Sequence, residues 1–231
     1  MNLYDVPTEI GRIIMPFDTA AHAAMVVRKV EDVTHAGQPC RAVVAARAYA
    51  TDIDDLWNAI TDKARIARWF APVEGDLELG GKYQIKGNAG GTVTACEPPK
   101  GFALTWEFGG GVSWVEVELT EAGDQTQLTL KHIAPRDGKS EEFWDQFGPG
   151  AVGVGWDLSL LGLAWHLETG DSVQEQFAET TWPSSAEGRA FVGASSDGWA
   201  AASIAYGTDE SAARRAATAT TAFFTGVSAS E

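Results

Sequence analysis

Cysteine is nearly absent: Cys40 and Cys96 are the only two in 231 residues. That is too few for a disulfide framework, and the pair lacks the CxxC spacing of zinc or redox sites. A single bridge between them stays open at this level. Positive charge is also scarce, with 17 Lys and Arg against 32 Asp and Glu for a formal charge of −15 at pH 7. No basic cluster relieves that field, so nucleic acid and membrane surfaces are not expected as partners. The four histidines, His22, His35, His132 and His166, stand apart from one another and from the cysteines, without HExxH or HxxxH spacing. No metal is expected from such a set. Neither GxSxG nor SxxK occurs, and the Gly87–Thr92 run lacks the Gly-Lys-Ser/Thr of a phosphate cradle and reads as a hairpin turn. No cofactor is expected. The first residues carry no basic segment leading into an apolar one, so the reading is a chain without a secretory leader, in a reducing cytoplasm.

What the sequence does have is apolar mass: 45% hydrophobic residues and nine tryptophans. A chain of this length buries about 70–75% of its unfolded surface, enough for a core without covalent staples. One run, Gly148 to Leu167, has the apolarity of a membrane span, but it carries Asp157 and His166. An Asp at the centre of a span costs roughly 2.5–3.5 kcal/mol, so a helix buried in protein is expected instead.

Periodicity organises the chain. A strand is expected around Ile10–Met15, a mixed stretch from Asp18, and a hairpin of Met25–Val33 with Arg41–Ala50 across the His35–Pro39 turn. Thr51 and Asp52 cap a helix in which Ile53, Leu56, Trp57 and Ile60 share a face, and a second short helix ends at Pro72. From Glu74 to Ile133 the period becomes two. Glycine-rich breaks cut this segment into strands at 76–79, 82–86, 92–97, 102–108, 112–120 and 125–133, an antiparallel meander with one covered face. Leu77 and Leu79, Tyr83 and Ile85, Leu104, Trp106 and Phe108, and Leu128, Leu130 and His132 are expected on that face. The cover is a helix over about 151–167, with Trp156, Leu160, Leu163, Ala164 and Leu167 in one stripe. After a polar linker, residues 185–206 and 209–224 read as a helical hairpin. Glycines 188, 193 and 198 weaken its first helix, so that helix forms only when docked, on the body or on another subunit.

This order of elements makes an α+β helix-grip arrangement, a curved sheet of six to eight strands around one long helix. The residues themselves then become recognisable. Tyr49–Asp62, the Arg68-Trp-Phe-Ala-Pro72 end of the second helix, Gly75–Tyr83 and Thr105-Trp-Glu-Phe108 resemble the SRPBCC (START-like) superfamily. Within it they are similar to the branch of the C-terminal domain of the heat-shock-protein-90 ATPase activator. The resemblance spans about residues 40–168. It divides the chain into an N-terminal extension (1–24), the helix-grip domain (25–170), a linker (171–183) and the C-terminal hairpin (184–231).

The resemblance implies a cavity whose relatives bind hydrophobic molecules, cyclise polyketides or act as co-chaperone domains. Fold alone does not choose among these. Chaperone activators use a separate N-terminal domain, for which residues 1–39 are too short. The leading expectation is therefore a small hydrophobic ligand held by Trp69, Phe70, Tyr83, Trp106, Leu130, His132, Trp156 and Leu160. Plain core packing of the aromatic residues is the alternative, since burying one Trp contributes up to ~4–6 kcal/mol. A cyclase or lyase would use His132 as acid/base, with Asp157 or Tyr83 orienting the substrate. Asp157 is otherwise expected on a solvated helix face. The C-terminal hairpin is expected to cap the body or to form a homodimer.

Overall fold

The computed structural model describes residues 17–173 and 182–226. Asp18 caps a short helix α1 (Thr19–Ala24), its carboxylate accepting from the Ala21 amide at 3.1 Å. The hairpin β1 (Val27–His35) and β2 (Gln38–Tyr49) follows, its turn held by Ala36 and Gly37 at positive φ. Asp52 and Asp62 accept from the third residue of α2 (Ile53–Thr61) and α3 (Lys63–Trp69), giving two consecutive capped helices. These helices carry the chain from β2 across to the far edge of the sheet. There β3 (Val73–Gly75), β4 (Lys82–Ile85), β5 (Gly90–Glu97), β6 (Gly101–Phe108), β7 (Gly111–Ala122) and β8 (Gln125–Pro135) return as a meander. The result is one eight-stranded antiparallel sheet in the order β1-β2-β8-β7-β6-β5-β4-β3, curved but unclosed. Two further helices, α4 (Gly138–Phe147) and α5 (Gly150–Thr169), precede the hairpin of α6 (Ala186–Tyr206) and α7 (Glu210–Thr225).

The helix-grip expectation holds, with four local corrections. The strand expected at 76–79 lies instead at Val73–Gly75. Asp76 accepts from the Glu78 amide at 3.1 Å and Gly81 bonds back to Glu78 O, so the backbone is spent on a local turn. Leu79 and Phe108, expected on the covered face, are 66% and 60% exposed because their turns project past the covering helix. Residues 19–24, read as a mixed stretch, are helical, and α4 has no counterpart in the periodicity. The strand expected at Ile10–Met15 and most of the expected linker lie outside the described residues.

Among the described residues no helix is long and apolar enough to cross a membrane. The apolar run that suggested a span is α5, buried against the sheet on one side and against α6 on the other. A helix covered on opposite sides needs no polar face. The close contact with α6 depends on Gly153, where an added Cβ would lie 2.1 Å from the Trp199 ring. Trp199 and Phe191 of α6 are fully buried in the same core as Leu161 and Leu163 of α5.

Asp157 also lies on this second flank. It is fully buried, and its Oδ2 accepts from Arg28 Nε at 2.8 Å, from Trp199 Nε1 at 3.0 Å and from Ser195 Oγ. Arg28 in turn donates to the carbonyls of Val26 and Ala23, and its guanidinium occupies the space a side chain at residue 198 would need. Asp157 is thus neither on a solvated face nor beside His132. One residue is ~100° of helix rotation, enough to carry it from the sheet side to the α6 side. Burial pushes its carboxyl above the ordinary range while Arg28, Ser195 and Trp199 oppose that rise. The hairpin is tied to this buried carboxylate through Ser195 and Trp199.

Candidate functional site

The inward faces of β4 to β8, the α3 end and the sheet-facing side of α5 enclose a cavity of about 140 Å³. Trp69 and Phe70 enter from the end of α3, Tyr83 from β4, Trp106 from β6, Leu130 from β8, and Trp156 and Leu160 from α5. These residues, which the sequence placed together, do converge. His132 does not line this cavity; it forms part of the wall of a second one. Lining residues that sequence reasoning did not single out include Ile60 and Ile66 from the two short helices, Val93 and Cys96 from β5, and Ser159 from α5. Helical spacing from Trp156 was the signal for Ser159, three residues on; nothing in the alternation marked Cys96. Cys40 is buried elsewhere, and both thiols are free.

The aromatic rings form a continuous line. Trp69 stacks on Phe70 at 5.6 Å, Phe70 on Trp156 at 6.4 Å, and Trp106 meets Trp156 edge-on at 5.1 Å. Trp69 Nε1 donates to Ala59 O at 2.9 Å and the Tyr83 hydroxyl to Thr105 O at 2.7 Å. Burial raises the Tyr83 pKa. Ser159 donates to Gly155 O of its own helix. Apart from the phenol of Tyr83 and the thiol of Cys96, no titratable side chain lines the cavity.

His132 closes the inner end of the line. Trp156 Nε1 donates to its Nδ1 at 3.0 Å, which leaves the ring proton on Nε2, 2.9 Å from Ser113 Oγ; Ser113 in turn donates to Trp106 O at 3.3 Å. Both ring nitrogens are therefore engaged. Burial lowers the His132 pKa from 6.5 to about 4, so the imidazole is neutral at pH 7. A general acid/base needs a free nitrogen toward the substrate. His132 lacks one here, and Asp157 is on the opposite side of the helix, so the acid/base pairing expected for an enzyme is not assembled.

The Trp156 link gives a direct test. Trp156→Phe leaves Nδ1 buried without a donor and is expected to cost about 1–3 kcal/mol in urea unfolding. Phe70→Leu, which removes a ring contact and no hydrogen bond, should cost less. An equal loss in both would show that the chain of hydrogen bonds contributes nothing of its own.

Comparison with known proteins agrees with this architecture. The sequence profile of the activator of Hsp90 ATPase homolog 1-like proteins matches residues 50–168. The solution structure of CalU16 from Micromonospora echinospora is 33% identical, covers 79% of this chain and 97% of that one, and superposes with a TM-score of 0.63. The crystal structure of CalU16 is 31% identical over 77% of this chain and 97% of its own, with a TM-score of 0.61. DynU16, a protein in the dynemicin biosynthetic locus, is 25% identical over 57% of this chain and 48% of its own, with a TM-score of 0.51. Among curated proteins there is no significant match.

Proposed function

Because the chain belongs to the family of activator of Hsp90 ATPase homolog 1-like proteins, we propose that it is a carrier or sequestering protein for a small apolar molecule, held between the sheet and α5. The observation that supports this most is the lining: almost entirely aromatic and aliphatic side chains, with the Tyr83 hydroxyl and the Trp69 indole already paired, around about 140 Å³ of unfilled space. Such a space favours apolar groups, since nothing in it rewards a charge and any buried charge would go uncompensated. Its volume is that of a site for a single six-membered ring; an apolar cavity of about 150 Å³ accepts benzene. Of a larger ligand, one ring or branched end enters while the remainder stays outside. The origin of DynU16 in a biosynthetic locus supports a ligand drawn from a biosynthetic pathway. The occupied nitrogens of His132 favour binding over turnover.

The experiment is thermal unfolding against a panel of flavonoids, sterols, fatty acids, polyketides and monocyclic aromatics, with native mass spectrometry of freshly purified protein. A true ligand at 100 times its Kd adds ~2.7 kcal/mol, which at roughly 2–4 °C per kcal/mol raises Tm by about 5–11 °C. Ser159→Leu, which fills the cavity from the α5 side, is expected to abolish the shift while leaving the unliganded Tm within a few degrees. A panel that moves nothing, or a shift that survives the filled cavity, overturns the reading.

A further inference from the structure

Behind the Trp106–His132–Trp156 partition lies a second, larger chamber of about 400 Å³, between the β6–β7 turn, the end of β8, and helices α4 and α5. Its chemistry differs from that of the first. Among the described residues, the charged side chains lining it are Arg41 and Lys139, both cationic, and no carboxylate lines it. In a chain that carries 32 acidic residues against 17 basic ones, a chamber with only positive charge on its walls is a departure that needs a reason.

Arg41 is held for use. Only 8% exposed, it lies flat against Trp144, its Cζ 3.9 Å from the ring centroid, and Nη2 reaches Glu141 at 3.3 Å. Glu141 is shared with Arg136, which it meets at 3.0 Å. The Arg41 Nε–H is buried and has no hydrogen-bond partner. A guanidinium stacked on an aromatic face directs its donors edgewise. The remaining walls are mostly apolar, with Trp106, Val43 and Val152 beside the polar Ser113, His132 and Ser140, and Phe108, Val112 and Phe143 line it at 60%, 49% and 44% exposure. Side chains of that size exposed together around one opening mark a binding mouth.

We infer that this chamber is a separate site for an organic carboxylate with an aromatic or alicyclic body: the carboxylate accepts from the accessible edge of the Arg41 guanidinium with Lys139 beside it, and the rings lie against Trp106 beneath the Phe108 and Phe143 rim. The volume is of the size that holds a two-ring molecule. A monoanion matches one guanidinium edge and one ammonium, and a carboxylate takes charge-assisted hydrogen bonds from both.

The test compares naphthalene-2-carboxylate with its neutral counterpart 2-naphthylmethanol, by calorimetry on the full chain. The acid is expected to bind at least ten-fold more tightly. Arg41→Lys, which keeps the charge but removes the planar guanidinium donors, should erase most of that preference, and Lys139→Gln, at an exposed position, should reduce it about three-fold. Ser159→Leu, which fills the first cavity, should leave it unchanged. Equal affinity for acid and alcohol, no binding of either, or loss of binding in Ser159→Leu overturns the proposal. Should Arg41→Lys fail to fold by circular dichroism, the acid-to-alcohol ratio in wild type and in Lys139→Gln still decides: a ratio near one, or one unchanged by Lys139→Gln, overturns it.

Discussion

Replacing Asp157 by alanine is expected to destabilise the protein by about 3–5 kcal/mol, the largest effect of any single substitution considered. Its carboxylate holds together three elements distant in sequence: α5 itself, β1 through Arg28, and α6 through Ser195 and Trp199. Its removal leaves the Arg28 guanidinium buried without its counter-charge, and it also strips Trp199 Nε1 of an acceptor. At roughly 2–4 °C per kcal/mol, Tm should fall by about 6–20 °C. Urea unfolding measures the loss directly. The combined change Arg28→Met with Asp157→Leu, which removes both charges together, should cost far less than the sum of the single changes. A loss below about 1 kcal/mol for Asp157→Ala would mean that the hairpin is held by apolar packing alone.

The second large effect is with pH. His132 titrates at about 4 in the folded protein, through burial, and at about 6.5 when unfolded. His22 is likewise lowered to about 4, by burial first and then by the neighbouring Arg47 guanidinium that it contacts. As pH falls below 6.5 the unfolded chain takes up protons that the folded one refuses, so the stability present at neutral pH is lost progressively down to about pH 4. The His132 share is roughly 3 kcal/mol. Glu31, Asp55 and Glu141 are lowered in the fold by their ion-pair and hydrogen-bond partners, so their contribution disappears mainly at more acid pH, while Asp157 and Glu168, raised by burial, oppose the decline; the His132 share is therefore read as the difference between wild type and a variant without the imidazole. Urea unfolding at intervals from pH 7 to pH 4.5 should give a steep decline in wild type and a shallower one in His132→Phe. Parallel declines in the two would refute the assignment.

Much of this was legible in the sequence because each signal was local. Asp52 and Asp62 announce the starts of α2 and α3, alternation from Tyr83 to His132 gives the covered face, and the apolar run with Trp156 and Leu160 gives the covering helix. The converging cavity residues follow from those signals, since alternation and helical spacing fix which side chains look inward. Asp157 was misread because its surroundings are not local. Its partners, Arg28 and Ser195, lie 129 and 38 residues away, and although the sequence suggested that the C-terminal hairpin docks, nothing in it said that the outer flank of α5 is where it does so. The surroundings of His132 were hidden for a related reason. Inward placement was visible, but the donor that occupies its Nδ1 comes from another element. The chamber beyond it was missed because α4, which supplies Lys139, Phe143 and Trp144, carries too mixed a pattern to declare itself.

The strand order also has a bearing on how the chain comes to be folded. β2 is made early, yet its inner neighbour is β8, with Cys40 opposite Pro135 and Tyr49 opposite Thr126. Until the whole meander has been synthesised, the alanine- and valine-rich inner edge of the first hairpin has no mate. Sheets dominated by such distant pairings assemble slowly and leave unpaired backbone available to other chains meanwhile. For a nascent molecule, the vulnerable interval therefore runs from the emergence of Tyr49 to that of Pro135, and the late arrival of β8 is the event that ends it.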